Sequence, residues 1–153
     1  MIKSLELFTD GACQGNPGQA AIGVVIKKQG KILKTISKTI GQATNNIAEY
    51  TALIYGLQEA LILKADQVKV NTDSELIYEQ LRGNYKIKQP NLKFLFDLVK
   101  HLSEGFKKIE VRHIPREKNR EADHLATEAI EKEQAKVVAP MFTFGEESPS
   151  SVG

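Results

Sequence analysis

Four short stretches each carry one carboxylate in an unusual local setting. They are Phe8-Thr9-Asp10-Gly11, Thr44-Asn45-Asn46-Ile47-Ala48-Glu49, Asn71-Thr72-Asp73-Ser74 and Asn119-Arg120-Glu121-Ala122-Asp123. The first and third end strand-like runs with the same Thr-Asp pair; the other two place an acid near the start of a helical pattern. Acids gathered in one place raise one another's pKa unless a counter-charge is present. The usual counter-charge for oxygen ligands is a hard divalent cation. The set points to Mg²⁺- or Mn²⁺-dependent chemistry on phosphate.

Each acid alone also has a structural explanation. Asp10 and Asp73 could close strands in turns, and Asp73 could cap the following helix. Asn46-x-x-Glu49 fits a capping box, and Asp123 suits the positive end of its helix. Against the capping box, Leu53 and Gly56 lie four and seven positions after Glu49, which puts Glu49 on the inward side of its helix. The joint occurrence of the four stretches favours chemistry.

The elements that must position these acids follow from periodicity. Residues 3–9 alternate and read as a strand ending at Asp10; 11–18, with three glycines and Pro17, reads as a loop. Strands are predicted over 20–28 and 31–40, completing an antiparallel meander. A helix capped by Asn45 or Asn46 is predicted to about Leu63. Its Ala48, Ala52, Gly56 and Ala60 recur every four residues and allow close contact with a sheet. Further strands are expected at 67–72 and 108–113, and helices at 74–81, 91–104 and 119–133. This order implies a mixed α/β sheet with helices on its faces. If the first and fourth strands are adjacent and parallel, Asp10 and Asp73 emerge at one edge of the sheet, where ligand sites favour forming.

Length and composition suit one domain: 153 residues, 26% charged, net charge +2. The chain contains no run of membrane-spanning length, and Glu6 stands where a signal peptide would be apolar. The single cysteine, Cys13, cannot form an internal disulfide and fits a reducing, cytoplasmic setting. Local basic clusters at 82–88 and 107–120 could track a phosphate backbone. Residues 135–153 lose helical pattern and are expected to form a partly disordered tail, with the apolar piece Val137–Phe144 able to dock on the body.

Over roughly residues 3–134 the chain resembles type 1 ribonucleases H. The stretch from Phe8 through Asp10, Gly11, Ala12 and Cys13 to Asn16-Pro17-Gly18 is similar to that family's first motif, and Thr44–Glu49 and Thr72-Asp73-Ser74 to its second and third. His113, followed ten residues later by Asp123, resembles the last. The resemblance implies a five-stranded mixed sheet, three strands antiparallel and then two parallel, in a catalytic domain over 1–134. It implies an endonuclease cutting the RNA strand of RNA/DNA hybrids to 5′-phosphate and 3′-hydroxyl ends. Asp10, Glu49, Asp73 and Asp123 would hold two Mg²⁺ ions, with Mn²⁺ as an alternative and Asp10 between them. His113 would handle a proton or ease product release. Asn16, Asn45, Asn46 and the backbone of Gly11, Ala12 and Cys13 would meet the minor groove, and Thr44 a DNA phosphate. A monomer is expected, with no membrane partner.

The chain departs from the better-known bacterial and animal members between Leu81 and Asn91. Those carry a basic helical insertion there; this segment is too short for one. Tyr85, Lys86 and Lys88 could still offer an aromatic surface and two cations to a strand. Two other functions compete: a metal-dependent nuclease of the same fold acting on double-stranded RNA or from a 3′ end, and an inactive nucleic-acid-binding module. The intact acid quartet opposes the inactive module, and Asn16 with Thr44–Asn46 favours the hybrid.

Overall fold

The structure, a computed structural model, describes residues 2–138. Strands β1 (Ser4–Gln14), β2 (Gly18–Lys28) and β3 (Lys31–Ala43) form the antiparallel meander. Helix α1 (Asn45–Ile62) leads to β4 (Gln67–Thr72), which lies parallel to β1. Helices α2 (Glu75–Leu81) and α3 (Pro90–Ser103) precede β5 (Lys108–His113), parallel to β4. A 3-10 turn at Arg116–Lys118 introduces α4 (Arg120–Val138). The five-stranded sheet runs β3-β2-β1-β4-β5, the mixed order expected.

Helices cover both faces because side chains alternate along each strand. On one face Gly56 of α1 sits so close that a β-carbon there would stand 3.3–3.4 Å from Leu7, Thr9 and Val24. On the other, a β-carbon on Gly23 would lie 1.9 Å from the Ala122 carbonyl oxygen of α4. The core between α1 and the sheet contains Leu5, Leu7, Val24, Ile26, Val68 and Val70, all at most 1% exposed. Buried Tyr50 donates its hydroxyl to Gln80 Oε1 at 2.5 Å, tying α1 to α2.

Several boundaries differ from the sequence expectation. β1 does not end at Asp10. It runs on to Gln14 because β2 stays paired with it as far as Gln14↔Gln19, after β4 has ended at Thr72. The glycines and proline of 11–18 mark only the tight turn at 15–17. β3 continues past Ile40 to Ala43; the pairing with β2 slips beside Gly41, whose φ of 82° accommodates the irregularity. α4 continues past the expected end at Glu133 to Val138. The remainder of the expected tail, 139–153, lies outside the described residues, as does most of the Val137–Phe144 segment. Residues 82–89 form no helix, as their length requires. No described helix is long and apolar enough to cross a membrane.

Candidate active site

β1 pairs with β4 only through Thr9↔Thr72. One residue further on, the β4 side of β1 is open: Asp10 stays paired with Gly23 of β2, while Asp73 follows the end of β4. Glu49 arrives from α1, whose first turn rests directly on this opening. A β-carbon on Gly11 would lie 2.5 Å from both the Ala48 carbonyl carbon and the Glu49 nitrogen, so only glycine permits the contact. The Gly11 N–H, which β4 no longer reaches, donates to Glu49 Oε1 at 3.2 Å. Ligand oxygens of Asp10, Glu49 and Asp73 all lie within 4.8 Å of one another. Asp123, in the first turn of α4, lines the same cavity of about 400 Å³.

The local alternatives for these acids are taken by other residues. Thr44, not Asn45 or Asn46, caps α1, its Oγ1 accepting from Ile47 N–H at 3.3 Å. Glu49 therefore makes no capping box. Ser74, not Asp73, caps α2 by accepting from Ile77 N–H at 3.2 Å. Asn119 holds the remaining corner. Its Nδ2 donates to the Thr9 carbonyl at 2.9 Å and to Asp73 Oδ2 at 3.0 Å, joining β1, the end of β4 and the start of α4.

The electrostatics are those of crowded acids. Burial, the Glu49 charge and Asp123 together push Asp10 up to about 9. Glu49 is pushed up to about 8, first by burial and then by the Asp73 charge, although the Gly11 N–H opposes this. Without a cation the pair retains protons into the neutral range. An all-oxygen donor set, partly buried and mutually repelling, is what a hard divalent ion relieves, so these residues fit such an ion.

The remaining expected residues divide. Gly11, Ala12, Cys13 and Asn45 line the acidic cavity. Asn16 lies beside them, its Oδ1 accepting from Asn45 N–H at 2.9 Å. Asn46 is half-buried in the first turn of α1. Tyr85, Lys86 and Lys88 stand exposed on the 82–89 segment, away from the cavity wall, with the Tyr85 hydroxyl 3.4 Å from Glu75 Oε2. His113 also lies off the wall, exposed at the end of β5 and stacked on Tyr78.

Ser74, Arg116 and Thr127 complete the wall, and the motifs single out none of them for it. Thr127 carries a signal, one helical turn after Asp123, whereas Arg116 is indistinct within its basic cluster. A separate hollow of about 260 Å³ beneath α3 is lined by Leu53, Leu57, Val99 and Val111, and its only charged group is Lys100. It holds no comparable set of reactive groups.

A family model described as reverse transcriptase-like matches residues 8–129. A ribonuclease HI of Halobacterium salinarum is 40% identical over 128 residues, covering 83% of this chain and 64% of that protein. A bifunctional protein of Mycobacterium tuberculosis is 38% identical over 149 residues, 94% of this chain and 41% of that protein. The chain thus spans less than two thirds of the length of these curated relatives. A solved structure of LC11-RNase H1 in complex with an RNA/DNA hybrid superposes with a TM-score of 0.80 at 44% identity, covering 85% of this chain and 99% of that one. By motif order, sheet topology and these likenesses, the chain belongs to the type 1 ribonuclease H branch of the reverse transcriptase-like family.

Proposed function

We propose that this chain hydrolyses the RNA strand of RNA/DNA hybrids, leaving 5′-phosphate and 3′-hydroxyl ends. The observation that carries the reading is the convergence of Asp10, Glu49 and Asp73 within 4.8 Å, with Asp123 on the same cavity wall. The hybrid complex of the similar LC11 enzyme supports the substrate. Asp10, Glu49, Asp73 and Asp123 would hold divalent cations, Mg²⁺ by preference and two at a time. When bound, such ions polarise the phosphate, lower the pKa of the attacking water and stabilise the leaving oxygen.

The chain's own groups do the remaining work. Asn119 and the Gly11 N–H aim Asp73 and Glu49 into the cavity. Arg116, on the same wall, offers the cation that a phosphate needs in a cavity whose other charged groups are all acids. Asn45, Asn46 and Asn16 supply amides that both donate and accept, which suits a 2′-hydroxyl. Thr44 would meet a phosphate of the DNA strand. His113, at the end of β5, takes or returns a proton at its imidazole. Tyr85, Lys86 and Lys88 give the hybrid a short secondary grip. We assign the catalytic unit to 1–134 and read it as a monomer; the free thiol of Cys13 suits the reducing cytoplasm.

The test is a panel of labelled hybrid, double-stranded RNA, single-stranded RNA and duplex DNA, each with Mg²⁺, Mn²⁺ or EDTA. Internal cutting of the hybrid's RNA strand, lost in EDTA, is expected. Asp10→Asn should bind hybrid and fail to cut it, because an amide is a poor ligand for a hard cation. Cutting confined to double-stranded RNA, or full activity in Asp10→Asn with Mg²⁺, would refute the reading.

A further inference from the structure

We propose that Tyr78 is a positioning residue for His113, restricting its imidazole to one arrangement at the end of β5, on the sheet edge where Asp73 follows β4. The proposal rests on the proton-handling role given to His113 above. His113 closes β5 in register with Thr72, so its side chain leaves the sheet at the edge where Asp73 follows. An exposed side chain at a strand end exchanges rotamers on the picosecond to nanosecond scale. The imidazole has no hydrogen bond or ion pair among the described residues. Its ring instead stacks on Tyr78 of α2, with centroids 5.6 Å apart and planes inclined by 26°.

The tyrosine is itself fixed. Ile77 and Gln80 form the buried side of α2, which leaves Tyr78 half-buried on its flank. Arg82 Nη1 donates to the Tyr78 hydroxyl at 2.7 Å, and its guanidinium carbon stands 5.3 Å from the ring centroid. Asp73 and Tyr78 are joined through one short capped helix, so the stack sets the imidazole relative to an acid of the cavity. An offset ring pair favours one arrangement over free rotation. Tyr78 thereby restricts where His113 waits between turnovers without itself reaching the reacting phosphate.

A kinetic cycle on hybrid cleavage in Mg²⁺ tests this, using the full chain, Tyr78→Leu, Tyr78→Phe, His113→Ala and the Tyr78→Leu/His113→Ala double variant. Tyr78→Leu should lower kcat by about 2- to 10-fold, the range that a stacking preference supports, while KM stays within about 2-fold. Tyr78→Phe keeps the ring and should restore kcat. In the His113→Ala background Tyr78→Leu should change nothing further. An independent effect of Tyr78→Leu in that background, or a Tyr78→Phe as slow as Tyr78→Leu, would overturn the proposal. A wild-type rate in His113→Ala would overturn the role of His113 itself, a separate outcome. NMR on the unaltered protein gives a test free of any folding defect: the His113 ring protons should carry a ring-current shift distinct from those of the other two histidines. Absence of that shift would equally overturn the stack.

Discussion

Asp10 and Glu49 bind protons more tightly in the folded chain than in the unfolded one, and the consequence has a definite sign. Their ordinary values are 3.8 and 4.5, and burial with neighbouring acids raises them to about 9 and about 8. Between those limits the folded state holds protons that the unfolded state has released, so stability falls as pH rises. The contribution is whole below about pH 4 and is lost as pH rises through the folded values. Melts of the EDTA-treated protein between pH 5 and 9 should show the midpoint dropping with pH. Asp10→Asn should flatten that slope, and an identical slope in the variant would remove Asp10 from the crowded set.

At the level of elements, two glycines decide how closely helices approach. Gly23→Ala would drive a methyl into the Ala122 carbonyl and shift α4, carrying Asp123 with it. Overpacking of this kind costs about 1–3 kcal/mol; a lowered midpoint together with reduced cleavage is expected, and an unchanged midpoint would show that α4 can yield. The 82–89 segment has a different kind of test. Replacing Lys86 and Lys88 by Ala should weaken hybrid binding and reduce the salt slope by about 0.9 for each phosphate no longer neutralised, taking the duplex-DNA value as a guide. An unchanged slope would leave both lysines facing solvent only. Every strand and helix that binds the site was legible from periodicity, and β5 to the residue, because alternation and helical stripes are local. The end of β1 was not legible, since β2 sustains it after β4 stops, and pairing is invisible in one segment alone. Nor was the choice of Thr44 over Asn45 as cap, for three adjacent residues can all cap. The four acids could be read from their motifs; Arg116 could not, because the 3-10 turn that carries it to the cavity wall has no periodicity.

For the molecule as a whole, the acidic cluster is a site of repulsion until a cation arrives. Asp73→Asn keeps the size of the side chain and an oxygen for Asn119, yet removes a charge. In EDTA at neutral pH the variant should melt above the wild type. About 1 kcal/mol of relief would appear as roughly 2–4 °C in a domain of this size. Mg²⁺ should narrow the gap, since a ligand of the folded state stabilises the wild-type site more. Paired melts decide the matter: a lower midpoint for Asp73→Asn in EDTA would mean that its bond to Asn119 outweighs the repulsion.

The hydrogen bond from Asn119 to Thr9 joins residues 110 positions apart. A ribosome adding about 5–20 residues per second makes Asp10 roughly 5–20 s before it makes the amide that closes the same corner. Glu49 and Asp73 follow within that interval, so over its last part the nascent chain carries three of the four acids before α4 has been made. The corner that joins β1, the end of β4 and the start of α4 is therefore closed late in synthesis, only once Asn119 has been made.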